Sequence, residues 1–260
     1  MGATGETQVS LSDTDARSMA TTPRMPRVVE YNVQTAMEAE HHLIVAHEVT
    51  MQGYDRDALS MMAVAARDAM APDRIEVIAD KGYYKSEEIL ACEDARIAGG
   101  VHKPQTSNVS AREQFDKADF AYDASADAYI CPASQQLIYR FTSQQDGKVI
   151  RTYWSSHCEG CVLKDKCTNS KERRIRRWEH EDVLERVQQR LDKYPTQIAA
   201  RSMTVEHPYD TIRSWMGATH FKMRRLKNVA TEMALHVLAY NMTRVIKIMG
   251  TPALVATMKA

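Results

Sequence analysis

The chain carries no net charge: 34 Lys and Arg are matched by 34 Asp and Glu. Overall charge therefore selects no partner, and only the local distribution of charge can. No apolar run reaches the roughly 20 residues of a membrane-spanning helix, so the sequence predicts no membrane partner. No secretory leader opens the chain. Its five cysteines then predict a cytoplasmic, reducing setting, where clustered thiols more often bind metal than pair as disulfides. No internal repeat is visible.

What is present is organised around Ile75-Glu76-Val77-Ile78-Ala79-Asp80-Lys81-Gly82-Tyr83. The apolar run suits a covered strand. It ends in a carboxylate and then in Gly82, which permits a turn. Helical patterns flank it, Leu59 to Met70 before and Ser86 to Ile97 after. Helix, strand and helix in series predict an α/β unit with a parallel sheet, whose chemistry sits at the carboxyl ends of the strands. Asp80 stands at such an end; the plainer reading is that it caps a turn.

Taken in order, residues 1–27 are polar and read as a flexible lead-in containing Asp13 and Asp15. Tyr31 to Met37 and His42 to Val49 predict a hairpin, and the pattern to residue 104 is that of a first core segment. Gly99-Gly100 breaks the pattern, and Val101 begins a further short strand. Residues 105–180 are weakly periodic with short β-like pieces, and read as a cysteine-bearing insertion. Helical character returns over 181–250, from Glu181 to Leu191 and from Asn228 to Met249, with 251–260 as a tail. Pro195 and Pro208 interrupt this helical part.

Two constellations could carry chemistry. Cys131 precedes a proline, and Cys158, Cys161 and Cys167 follow as C-x2-C-x5-C; four thiolates suit one structural, tetrahedral zinc. The spacing is that of no standard finger, His157 is a possible substitute ligand, and the alternative is a set of unpaired thiols in a compact loop. Cys92 falls on an apolar helix face and reads as core. The second constellation is Val205-Glu206-His207-Pro208-Tyr209-Asp210-Thr211-Ile212-Arg213. Glu206 and Arg213 share a face if the segment is helical throughout. A carboxylate beside a cation suits a metal ligand next to a phosphate contact, or simply a surface ion pair. Basic stretches at Arg173, Arg174, Arg176 and Arg177, and at Lys222, Arg224 and Arg225, suit phosphate contacts, with solvated surface as the commoner alternative.

The runs Tyr31-Asn32-Val33-Gln34-Thr35-Ala36, His41 to Thr50 and Ala79-Asp80-Lys81-Gly82-Tyr83 resemble the DDE transposases of bacterial insertion sequences. So do the four clustered cysteines, Val205-Glu206-His207-Pro208 with Trp215-Met216-Gly217, and Leu238-Ala239-Tyr240-Asn241. The resemblance runs from about Leu11 to Gly250. It implies an α/β fold, a ribonuclease-H-like mixed sheet flanked by helices, with the cysteines in an insertion. It maps the second catalytic aspartate onto Asp80, the catalytic glutamate onto Glu206 and the basic residue after it onto Arg213. In such enzymes three carboxylates hold two divalent ions, normally Mg2+, for in-line displacement at phosphorus of DNA.

Three departures accompany it. Asp210 replaces a glycine, Arg213 replaces a lysine, and the Asp-Gly-Thr-like strand bearing the first aspartate has no counterpart. Neither Asp13 nor Asp15 is assigned that role. The expectation is an incomplete transposase copy, catalytically silent alone, with DNA as partner and a homodimer as one possible assembly. A zinc-stabilised DNA-binding module and a metal-dependent nuclease are the competing readings.

Overall fold

The computed structural model describes residues 10–19, 28–72, 74–104, 114–193 and 208–259. The chain divides into two compact units, residues 1–103 with 186–260, and residues 104–185.

The first unit opens with β1 (Arg17–Met19) antiparallel to β2 (Val28–Glu30). A strand thus stands where sequence composition suggested only a lead-in. A hairpin follows, β3 (Asn32–Met37) against β4 (Ile44–Thr50). Its turn is closed by Glu38, whose carboxylate accepts the backbone N–H groups of Glu40, His41 and Leu43. Burial works against that charge, but the three N–H bonds outweigh it and hold the carboxyl below its ordinary range. Helix α1 (Leu59–Met70) buries Leu59, Met62, Ala63 and Ala66, the helical spacing read from sequence. Then come β5 (Glu76–Ala79), α2 (Ser86–Asp94) and β6 (Ala98–Val101), and β5 and β6 pair in parallel.

Gly99 and Gly100 lie inside β6 rather than breaking the pattern before it. The reason is close packing: a Cβ on Gly100 would meet Leu191 Cδ2 at 3.3 Å and the Val77 carbonyl at 3.4 Å. The absent side chains let the elements approach.

The second unit is an antiparallel meander: β7 (Ala121–Asp123), β8 (Ala128–Ile130), β9 (Gln136–Gln145), β10 (Lys148–Trp154) and β11 (Ile175–Trp178). The strands lie in the sheet in chain order. The insertion therefore has more regular structure than its weak periodicity suggested, because β7 and β11 are too short to show an alternation. Phe120, Tyr129, Leu137, Tyr153 and Ile175 form its core, with Tyr129 and Tyr153 edge to face at 5.3 Å. Asp127 accepts the hydroxyls of Tyr122 (2.7 Å) and Tyr153 (2.8 Å) and pairs with Arg151. A single turn, α3 (Lys164–Cys167), precedes β11, and α4 (Glu181–Lys193) follows it. The division between the units falls within α4, after Glu185.

The first unit resumes in the rest of α4 and continues in a short π turn, Thr211–Trp215, and in α5 (Leu226–Met249). Gly250, at φ 78°, ends α5, yet the expected tail is a further helix, α6 (Thr251–Lys259). Pro252 is tolerated there because the first turn of a helix needs no N–H from it. The start of α5 is capped by Asp13, which accepts Arg225 N at 3.1 Å, and by Asp15, which accepts Leu226 N at 3.0 Å. Val229, Met233, Val237 and Tyr240 of α5 pack on Ile44 and Val49 of β4. Asn241 locks the contact, its amide exchanging two hydrogen bonds with the Ile44 backbone at 3.0 and 2.8 Å.

The chain is thus mixed α/β, with its five-stranded sheet in the second unit. The first unit has no single mixed sheet: among the described residues its strands form three separate pairs, β1-β2, β3-β4 and β5-β6. Strand β5 is correspondingly only half-covered at Val77, Ile78 and Ala79.

Candidate active site

Asp80 follows the last residue of β5, at the carboxyl end of a parallel strand. It is exposed, and its carboxylate accepts the N–H of Lys81 at 2.8 Å, opening a 3-10 turn over Lys81–Tyr83. The capping reading is thus correct as geometry, and it leaves the carboxylate at the surface. From that turn Tyr83 reaches back and donates to Gln34 Oε1 on β3. Gln34, only 2% exposed, donates to Asp55 Oδ1 at 2.7 Å, and Asn32 donates to the same oxygen at 2.8 Å. The turn is also close to Asp55 along its backbone, since a Cβ on Gly82 would lie 3.6 Å from Asp55 Oδ2.

A second tyrosine meets the same strand. Tyr209, three residues after Glu206, donates to the Val33 carbonyl at 2.9 Å and accepts from Thr35 Oγ1 at 3.2 Å. Burial first, and then the charges of Asp55 and Asp80 and the neighbouring Tyr209, push the Tyr83 phenol up. Burial and Asp55 do the same to Tyr209. Both phenols stay neutral donors, as their hydrogen bonds require. Arg213 is exposed on the π turn, beside the buried Ile212. Glu206 lies outside the described residues, so the structure places one of the two assigned carboxylates. Sequence reading missed Asp55, Gln34 and Tyr83 as a unit; the available signal was a polar Gln34 in an otherwise core-forming hairpin.

A divalent ion needs oxygen ligands, and Asp80 supplies that chemistry. Among the described residues, however, no three His, Cys, Asp or Glu side chains stand in an arrangement that would hold a metal.

The same statement covers the cysteines. All four, Cys131, Cys158, Cys161 and Cys167, are partly buried and free, and all four line one cavity of about 30 Å³ with Phe120 and Leu137. Cys131 sits in a tight turn where Ser134 N reaches its carbonyl at 2.8 Å and Gln135 N donates to its Sγ at 3.4 Å. An N–H aimed at sulfur is how outer partners support a thiolate ligand. Burial raises the Cys167 pKa; Arg173 opposes this, and the other three thiols reinforce it. The donor set fits zinc in kind, while its spacing falls short of a closed site.

The basic stretch 171–177 separates into two groups. Arg177 is 8% exposed, held by Glu185 and by Tyr129 at 3.2 Å, with its guanidinium over Tyr122. Arg173 donates to the Phe115 carbonyl at 3.1 Å and lies over Phe120. Both guanidinium groups are thus committed inside the unit. Arg174 and Arg176 are exposed. So are Lys222, Arg224 and Arg225, whose loop is pinned by Glu232 accepting the N–H groups of Lys222 and Met223. Cys92 is fully buried and its thiol is pushed up to about 11 by burial, as a core cysteine should be.

Residues 130–246 match the family model described as a transposase DDE domain. The match takes in all four clustered cysteines, the Glu206 to Arg213 segment and most of α5; Asp80 precedes it. This supports a DDE transposase. No curated protein and no solved structure gave a match. Among the described residues no helix is long and apolar enough to cross a membrane.

Proposed function

We propose that the chain is the later part of a DDE transposase catalytic region, acting on DNA by phosphodiester cleavage and strand transfer. The observation that carries this reading is the pair of tyrosines on one strand. Tyr83, three residues after Asp80, bonds to Gln34, and Tyr209, three residues after Glu206, bonds to Val33. Strand β3 is thereby the common anchor of both segments that the family resemblance assigns to the acidic site. Asp80 and Glu206 are its carboxylates, and Arg213 holds a DNA phosphate at its margin. Divalent ions, Mg2+ in the cell, would supply activation of water or a DNA 3′-hydroxyl and charge stabilisation of the leaving oxygen. The protein's own part is to fix Asp80 on a strand end and to orient the scissile phosphate.

The core is ribonuclease-H-like, and the first aspartate belongs to a further strand that pairs between β3 and β5. Support comes from those two strands, which do not pair with each other, and from the half-covered apolar residues of β5. Cys131, Cys158, Cys161 and Cys167 bind one zinc that closes their cavity and stabilises the second unit. The active form is a homodimer.

The test is a magnesium-dependent cleavage and strand-transfer assay on cognate terminal DNA, using the chain alone and a version with an Asp-Gly-Thr strand supplied. Activity is expected only in the second, and Asp80→Asn or Glu206→Gln should reduce it by more than about a hundredfold, beyond the 10–100-fold typical of outer-shell losses. Equal activity of the two versions would overturn the incomplete-site reading. Cleavage without transfer would favour a nuclease, and DNA binding unaffected by either substitution, with no cleavage, a binding module.

A further inference from the structure

The outer face of the five-stranded sheet carries a feature that the acidic site does not use. Leu137 and Tyr153 point into the core, while their neighbours Ile138 and Trp154, paired across β9 and β10, stand on the opposite face. Trp154 is flanked by two guanidinium groups, Arg140 at 5.2 Å and Arg174 at 5.0 Å from its ring centroid. Arg140 is further fixed by bonds to the Trp154 carbonyl at 3.3 Å and to Ser156 Oγ at 3.0 Å. Arg174 pairs with Glu172 at 2.9 Å, but its side chain stays 57% exposed where that of Arg177 is 10% exposed, so a phosphate can reach it. Beside the stack, Phe141 packs edge-on to Trp154 at 5.9 Å and remains 43% exposed, and Ile138 is 46% exposed.

The charge of these strands is one-sided. Strands β9, β10 and β11 contain Arg140, Lys148, Arg151, Arg176 and Arg177 and not one Asp or Glu. Arg151 and Arg177 are neutralised from outside the strands by Asp127 and Glu185. Arg140 and Arg176 lie on these strands with no Asp or Glu in the strands beside them. A guanidinium already held over an indole loses little further freedom when it takes a phosphate, and its planar fork suits two phosphate oxygens. An exposed aromatic next to such cations offers a stacking surface to an unpaired base.

We propose that Arg140, Trp154 and Arg174, with Phe141 beside them, form a binding face for unpaired DNA on the second unit, independent of the acidic site. Arg140 and Arg174 hold the backbone, Trp154 pre-orients both, and Phe141 receives a base. The proposal rests on DNA being the substrate. It adds where an unpaired strand is held and why Arg174, but not its neighbours Arg173 and Arg177, takes part.

The experiment is fluorescence anisotropy of labelled oligothymidylate with the whole chain in EDTA, where no cleavage occurs. Competition with duplex of equal length, and a salt titration, accompany it. Wild type should bind oligothymidylate in preference to duplex. Trp154→Ala and the double variant Arg140→Ala/Arg174→Ala should each weaken binding by at least about tenfold. The double variant should also flatten the salt slope by roughly 1.4, at about 0.7 per single-strand phosphate contact. Trp154→Phe, which keeps a stacking ring, and an unchanged far-ultraviolet circular dichroism spectrum and melting temperature guard against misfolding. Arg140→Lys/Arg174→Lys keeps the charge but not the planar guanidinium, and should still lose most of the effect. Wild-type affinity in the alanine variants, or full affinity in the lysine variant, would overturn the stack's role. Preference for duplex would overturn the unpaired-strand assignment. If wild type binds no DNA at all, the transposase reading fails with it.

Discussion

The two units solve the problem of pairing strands in opposite ways. The second, a single run of chain, places β7 to β11 side by side in chain order, so every strand pairs with the strand before or after it in the chain. The first is assembled from chain before and after that run, and its strands stay in pairs. One of its cores is a helix, α5, laid on a strand, β4. Local pairing closes a sheet at small loop-closure cost, whereas the first unit depends on contacts some 200 residues apart, such as Asn241 with Ile44. The lesson is that the unit proposed to carry chemistry is the less complete of the two. Acidic residues on half-covered strands need outside support, and here Gln34, Asp55, Tyr83 and Tyr209 provide it.

If a zinc ion completes the second unit, its removal should have the largest effect on that contrast. Purified protein should contain about one zinc per chain, the stoichiometry of a four-thiolate site. Cys158→Ser should abolish this content and loosen hydrogen-exchange protection over β7–β11 while leaving α5 protected. A metal-free protein with a fully protected second unit would remove zinc from the account. Next in size is Leu137→Ala, at 1% exposed in the tyrosine core, which should cost about 2–5 kcal/mol. Urea melts followed by tyrosine signals of the second unit would register it. Asn241→Ala should act in the first unit instead, leaving Ile44 N and O without their partner, at about 1–3 kcal/mol. Equal protection loss in both units from either variant would mean that they do not unfold separately.

The smallest effect is on acid stability. Burial opposes the charged form of Asp127, but Tyr122, Tyr153 and Arg151 prevail and hold its pKa low. A carboxyl depressed by folding contributes stability that is present above its unfolded pKa, about 3.9, and is lost as pH falls through the lower folded value. Asp127→Asn, which suits the left-handed φ of 46° at this position, should remove that dependence from the second unit. A melt of the variant that tracks wild type from pH 5 to 2 would contradict the assignment.

Much of this was legible in the sequence. The 3-4 spacing in α1 and the alternation around Glu38 gave the helix and the hairpin, because local periodicity reports local burial. The strand ending in Asp80 was legible for the same reason. Gly99-Gly100 misled, since glycine marks both turns and tight packing, and only the position of Leu191 tells which applies. Asp13 and Asp15 looked idle because the N–H groups they cap belong to residues more than 200 positions later. Arg173, Arg174, Arg176 and Arg177 read alike as charges, whereas alternation across β11 and its approach sends Arg177 inward to Glu185 and leaves Arg174 and Arg176 outside. Arg140 and Trp154 carried no signal until β9 and β10 were paired.

The central claim is that the segment after β5 and the segment before the π turn meet at one acidic site. Manganese binding, followed by electron paramagnetic resonance across a double-mutant cycle of Asp80→Asn and Glu206→Gln, tests it most directly. If the carboxylates share ions, each single variant should weaken the same binding event and the double variant should add little, the non-additivity of residues in one network. Independent, additive losses, or a Glu206→Gln variant that binds manganese as wild type does, would contradict the account.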